Sequence, residues 1–354
     1  MIKSINLVNF RLFDKLNLEF NNSFVILSGK NATGKTSILE AIHILSTTKS
    51  HRTIDVSEAI QFDKEYAKIE IDNDKKYKMV LSEKGKSLFI NDREIKKSGD
   101  YIGNFNVCMI APADISLVNG SKQDKRRFLD LNISILDKRY INESSKYKKL
   151  LNERNSILKN SSVDKTMLNI VTDDLINSLK YIYESRINLV NDINSYLDEI
   201  CKKMNIEHIE LKYEATYNPS NIKKSFDSKL ESDLLYKITQ IGTHRDSFKI
   251  LINNLDASSF ASEGQSRIIY IAIKLALKKI ITLKDKEPVL LLDDIFQALD
   301  KSRIEALTEY VKESKQVFIT TTSVLEIPDE ILKNAVVIRI ENKGENKWWK
   351  KKKK

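Results

Sequence analysis

Eight residues, Gly29-Lys30-Asn31-Ala32-Thr33-Gly34-Lys35-Thr36, stand between the apolar run Phe24-Val25-Ile26-Leu27 and the amphipathic run Ile38-Leu39-Glu40-Ala41-Ile42-His43-Ile44-Leu45. A strand feeding a Gly-rich loop that opens a helix is the setting of a phosphate-binding P-loop. Gly29 and Gly34 let the backbone close around phosphates, and the first amides of the helix point at the anion. Lys35 is placed to meet the β and γ phosphates as a point charge, and the Thr36 hydroxyl can ligate Mg²⁺. A second pair, Asp293-Asp294, closes the unbroken apolar run Val289-Leu290-Leu291-Leu292 at its carboxyl end, where open α/β sheets put their ligands. On this reading Asp293 holds Mg²⁺ through water or Thr36, and Asp294 polarises the attacking water. A helix N-cap ahead of Lys301 would account for one of these acids at most. The third stretch, Ser262-Glu263-Gly264-Gln265, sets an N-cap serine just before a glycine: either a second anion-binding helix start or a plain capped helix.

The elements that must carry these residues follow from periodicity. Residues 2–28 alternate as three short strands, and the P-loop helix runs from about Lys35 to Thr47. Strands over Tyr66–Ile71 and Lys76–Leu81 predict an antiparallel lobe, and Phe105–Ile110 is a further strand stopped by Pro112. From about Lys122 to Met204 the pattern is helical, and Asn160-Ser161-Ser162 folds it into a hairpin. The first limb, Lys138 to Lys165, carries eight basic and three acidic side chains, against four and six in Asp173 to Lys203. The limbs can pack with some charge complementarity, leaving the first with a basic outer face that is either a DNA-facing arm or ordinary solvation. Strand and helix then alternate to the end: a helix over Ser262–Ile281, the buried strand at 289–292, a helix over Lys301–Lys312, and strands at 317–320 and 336–340.

The chain of 354 residues is long for one core and predicts an insertion or a second domain. Hydrophobic residues at 41% and charged residues at 31% describe a globular protein, and no apolar run reaches the ~20 residues of a membrane span. The expected location is cytoplasmic, with Cys108 and Cys201 as reduced, buried thiols. A formal charge of +10 favours an anionic partner, although part of it lies in the tail Lys347-Trp348-Trp349-Lys350 to Lys354, which is either a solvated end or a specific contact.

The order of P-loop, insertion, S-x-G-Q, acidic pair and Gln297-Ala298-Leu299-Asp300 resembles an ABC-type ATPase head. Further motifs narrow the resemblance: Asn9-Phe10-Arg11, Lys49-Ser50-His51-Arg52, Ala111-Pro112-Ala113-Asp114, Arg126-Arg127-Phe128-Leu129-Asp130 and Gly242-Thr243-His244-Arg245-Asp246. Together, from Lys3 to about Ile340, these are similar to the RecF family of bacterial DNA replication and repair proteins, relatives of SMC-type heads. The resemblance implies an α/β P-loop head of mixed sheet and antiparallel lobe with an inserted helical arm. The expected parts are 1–120 and 206–342 as the head, 121–205 as the arm and 343–354 as a basic tail. It implies an ATP-dependent homodimer that clamps gapped or duplex DNA, works with RecO and RecR to load the RecA recombinase, and hydrolyses ATP weakly with stimulation by DNA.

Residue by residue, the resemblance puts Arg11 and Asn31 near the nucleotide, and Ser262, Gly264 and Gln265 across the dimer interface. Arg52 is either a phosphate contact or a surface arginine, and the role of His244-Arg245-Asp246 stays open. For DNA, Lys122, Lys125, Arg126 and Arg127 with the basic limb could neutralise phosphates, a reading of backbone and shape with little sequence preference. Ala32 replaces a common glycine and is tolerable if it keeps a negative φ, while Glu263 must point away from ATP. Thr320-Thr321-Thr322 replaces a switch histidine, so turnover should be slow. The competing reading, a transporter's nucleotide subunit, wants a signature nearer L-S-G-G-Q and that histidine. A GTPase would need N-K-x-D after an inner strand, which Asn342-Lys343-Gly344-Glu345 does not supply.

Overall fold

The computed structural model describes residues 1–341 apart from 54 and 285; the basic tail, 343–354, lies outside the described residues. The chain divides into two compact units, one of 1–114, 203–205 and 277 onward, the other of 115–202 and 206–276. The expected boundary at 206 therefore differs from the observed one, because 206–276 folds with the helices.

In the first unit β1 (Ser4–Phe10), β2 (Phe13–Glu19), β4 (Tyr66–Asp72), β5 (Lys76–Ser82), β6 (Gly85–Ile90) and β7 (Arg93–Glu94) form an antiparallel sheet in the order β2-β1-β4-β5-β6-β7. A parallel sheet takes β3 (Phe24–Ser28), β8 (Val107–Ile110), β12 (Val289–Asp293), β13 (Val317–Thr321) and β14 (Ala335–Arg339) in the order β14-β3-β13-β12-β8. Its β3, β12 and β13 are buried along almost their whole length, which is why they read as unbroken apolar runs. Both sheets pack on the helix α1 (Lys35–Thr47). The run expected to be amphipathic is accordingly buried on almost every side, Glu40 and His43 included. With β13 between β3 and β12 in parallel register, the loops after β3 and β12 leave the same edge, roughly 10 Å apart. That is how residues distant in sequence come to share one site.

The second unit holds a three-stranded antiparallel sheet, β11-β10-β9, made of β9 (Ile209–Glu214), β10 (Ser247–Ile252) and β11 (Leu255–Asp256). Its long helices are α2 (Lys122–Leu136), α3 (Lys138–Lys159), α4 (Lys165–Lys203, ending past the unit's edge) and α5 (Ile222–Tyr236). Contacts from Arg154 to Thr172 and from Arg186 to Tyr140 show α3 and α4 running antiparallel, the expected hairpin. The next helix, α6 (Glu263–Leu283), starts in this unit and continues into the first, followed there by α7 (Lys301–Lys312). No described helix is long and apolar enough to cross a membrane, and both cysteines are buried and unbonded to each other.

Candidate nucleotide site

The loop after β3 closes around its own lysine. Lys35 Nζ donates to the carbonyls of Gly29 (2.8 Å) and Lys30 (3.0 Å), and Thr33 Oγ1 donates to Lys30 O (2.9 Å). Gly34 takes φ 101°, and a Cβ there would stand 2.5 Å from Phe13 Cζ, so only glycine fits. It also precedes α1 without any capping side chain, which leaves the helix's first amides to an outside acceptor. Ala32 departs from the expectation: its φ is 62°, in the left-handed region, so the replacement of glycine carries strain.

Across the sheet edge, Thr36 Oγ1 donates to Asp293 Oδ1 at 2.9 Å. Thr320 Oγ1, delivered by β13 opposite Asp293, donates to the same oxygen at 2.7 Å and accepts from Asp294 N at 2.9 Å. Asp294 is itself at φ 46°, and its Oδ1 makes no hydrogen bond among the described residues. Burial, and then the charge of Asp293, hold the Asp294 carboxyl above its ordinary range, with Lys35 opposing. A hydroxyl and a carboxylate oxygen side by side, with a second carboxylate next in the chain, are oxygen donors of the kind a hard divalent cation takes.

Lys35, Thr36, Asp293 and Asp294 share a cavity of about 580 Å³ with Asn31, Ala32, Gly34, Arg11, Arg52 and His51. Gly29, Lys30 and Thr33 complete the loop behind it through the contacts described above. Neither arginine is free. Arg11 forks onto the carboxylate of Glu40, through Nη2 (2.6 Å) and Nε (3.0 Å), and gives Nη1 to Glu58 O. Arg52 reaches the same carboxylate at 3.4 Å. Sequence reasoning passed over Glu40; the available signal was a lone acid inside the apolar run 38–45, four residues after Thr36 on the same helix face.

The signature stretch lies in the second unit, at the start of α6. Ser262 Oγ accepts from Gln265 N (3.2 Å) and Gln265 Oε1 accepts from Ser262 N (3.0 Å), a reciprocal capping box. Glu263 turns along the helix to Arg267 at 3.2 Å. A Cβ on Gly264 would meet nothing within 4 Å, and Ser262, Glu263 and Gly264 are exposed.

The residues assigned to DNA divide. Lys122 is exposed and Arg127 half-buried, but Lys125 is buried with its ammonium 5.8 Å from the Phe248 ring, and burial pushes its pKa down. Arg126 donates to Asp246 O at 2.9 Å, so it braces the fold where a phosphate contact was expected. On α3, Arg154 is buried, whereas Lys146, Lys148 and Lys149 are exposed. Two side chains of the loop at 244–246, His244 and Asp246, brace the fold. Asp246 accepts from Tyr213, Tyr217 and both the amide and hydroxyl of Thr216, and burial raises its pKa. His244 donates from Nε2 to Thr239 O and accepts at Nδ1 from the Tyr147 hydroxyl; burial pushes it down to about 4.

Comparison with known proteins bears on the chain as a whole. The model of the RecF/RecN/SMC N terminal domain matches residues 1–343. The DNA replication and repair protein RecF of Acholeplasma laidlawii is 38% identical over 91% of this chain and 93% of its own. That of Bacillus subtilis is 34% identical over 96% and 98%. Among solved structures, the recombination mediator protein RecF bound to ATP, from the RecFOR pathway, superposes with TM-score 0.84 at 31% identity over 92% of this chain and 93% of the other. The Smc head domain from Pyrococcus furiosus shares the fold at TM-score 0.52 and 16% identity, covering 96% and 94%.

Proposed function

The chain belongs to the RecF family of DNA replication and repair proteins, and on that footing we propose that it is an ATP-driven switch on DNA. One observation carries this reading: Thr36 Oγ1 and Asp293 Oδ1 lie 2.9 Å apart on a cavity that Lys35 and Asp294 also line. The triphosphate oxygens replace the carbonyls of Gly29 and Lys30 as partners of Lys35, and the uncapped start of α1 receives the same charge. Thr36 and Asp293 would hold Mg²⁺, which neutralises charge between the β and γ phosphates when bound. Asp294 orients the attacking water and takes its proton, and its raised pKa makes it the stronger base.

Exposed Ser262 and Gly264 at the head of α6 suit capping of ATP held by a second copy, so nucleotide closes a homodimer. The dimer clamps gapped or duplex DNA through Lys122, Arg127 and the exposed lysines of α3, acts with RecO and RecR to load RecA, and reopens on slow hydrolysis. With Thr320-Thr321-Thr322 in place of a switch histidine, sensing of the γ phosphate runs through hydroxyls, of which that of Thr320 already engages Asp293. The test separates binding from turnover: Asp294→Asn should retain ATP affinity while hydrolysis falls at least a hundredfold, and Lys35→Ala should lose both. Hydrolysis at the wild-type rate by Asp294→Asn would refute the assignment.

A further inference from the structure

Glu40 is the most heavily engaged carboxylate on the wall behind the cavity. It lies on α1 four residues after Thr36, so the helix face that brings Thr36 to Asp293 also presents Glu40. Its side chain is wholly buried, yet its pKa is lowered: burial works against the charge, but the Arg11 hydrogen bonds and charge, the Ser50 hydroxyl and the Arg52 charge outweigh it. One carboxylate therefore serves two guanidinium groups, and within this trio of side chains one positive charge is left over.

The contacts also fold the backbone. Ser50 Oγ donates to Glu40 Oε1 at 2.7 Å and accepts from the amides of Arg52 (3.0 Å) and Thr53 (3.2 Å), pinning the turn that carries Arg52. Arg11 sits at φ 52°, an arrangement held by its amide on Ala59 O and by the fork onto Glu40. Among the described residues, three of the five N–H groups of Arg11 are engaged, with Glu40 and Glu58, so two remain for a ligand. The side chain of Arg52 is 43% exposed and, among the described residues, its guanidinium makes one long contact, which leaves most of its donors for a ligand.

We propose that Glu40 is a positioning residue for the nucleotide phosphates, acting through Arg11 and Arg52, which it sets on the cavity wall as a preformed pair of cations. This rests on the nucleotide reading of the cavity. A preset guanidinium binds an anion without first ordering its own side chain, so the loss of Glu40 appears in affinity before it appears in chemistry.

The experiment compares Glu40→Gln, Arg52→Ala and their double variant in the full chain, measuring ATP affinity, steady-state KM and kcat, and melting without nucleotide. Glu40→Gln should bind ATP about tenfold more weakly and raise KM alike while kcat changes less than threefold, because the chemical groups Thr36, Asp293 and Asp294 are untouched. Adding Arg52→Ala to it should cost less than the same change costs alone. A variant that was merely damaged would lose active molecules, lowering kcat and leaving KM. Unchanged ATP affinity in a folded Glu40→Gln overturns the proposal. If that variant does not fold, Ser50→Ala carries the test: severalfold weaker ATP binding at unchanged melting supports it, and unchanged affinity overturns it. Lys35→Ala is the separate control, because ATP binding that survives it would sink the nucleotide reading itself.

Discussion

Arg154 lies in the helix whose lysines are read as meeting DNA, and charge alone would count it with them. Its guanidinium is 1% exposed and donates to Thr172 Oγ1 (2.9 Å), Asp233 Oδ2 (2.8 Å) and Thr239 Oγ1 (2.7 Å). Asp233 is fully buried, and its other oxygen takes the amide of Gln240 at 3.0 Å. Arg154→Met keeps much of the volume but leaves that carboxylate without its cation. Breaking a buried pair from one side costs about 3–5 kcal/mol. In a folding unit of this size each kcal/mol moves Tm by about 2–4 °C, so melting should fall by roughly 6–20 °C. Replacing both partners, Arg154→Met with Asp233→Leu, should recover most of the loss, because no buried charge is then stranded. Far-ultraviolet circular dichroism without nucleotide reads the melting. DNA affinity across a salt series, well below the transition, reads the surface. Arg154→Met should keep the wild-type salt slope, whereas Lys148→Ala with Lys149→Ala should reduce it by up to about 2. A melting point within a degree or two of wild type, or a slope reduced as in the lysine variants, would refute the reasoning.

Two further outcomes follow from the site and its support. The unfolded chain binds a proton at His244 before the native one does, since the native pKa is near 4 against 6.5. Stability from this group is therefore whole above pH 6.5 and is lost as pH falls from there through 4, by about 2 kcal/mol at pH 5. Urea midpoints at pH 7 and pH 5 should show that loss in the wild type and less of it in His244→Gln; an equal loss in both would exclude His244 as the cause. In the phosphate loop, Ala32→Gly should relieve left-handed strain and leave stability equal or raised by about 0.5 kcal/mol after glycine's own entropy cost. Gly34→Ala, with its Cβ 2.5 Å from Phe13, should lower Tm clearly. The reverse ranking would contradict the loop geometry.

The parallel sheet was legible because its strands are buried on both faces and so print continuous apolar runs, and the P-loop because glycine spacing and flanks agree. Partnership was not legible. The positive charge of Lys125, Arg126 and Arg154 reads the same in a sequence whether it meets solvent, an aromatic ring, a carbonyl or a buried acid, and only the fold decides. Glu40 escaped for the same reason: its two arginines come from residues 11 and 52, on loops that the sheets bring to α1. Ala32 shows the converse, since the family resemblance named the replaced glycine but the sign of φ came only from the closed loop. The boundary near 206 failed because β9 pairs with β10 inside the helical unit, a long-range pairing that periodicity does not reveal.

The central claim, that ATP closes two copies of this chain on DNA, is tested most directly by retention on gapped duplex DNA at moderate salt, with and without ATP, for the wild type and Ser262→Arg. The substitution also costs the helix cap about 1 kcal/mol, a loss too small to unfold the chain. The account predicts that ATP increases retention by the wild type, and that Ser262→Arg binds ATP normally but gains nothing from it. Equal retention with and without ATP would contradict the account and leave the basic surface as the whole of the DNA interaction.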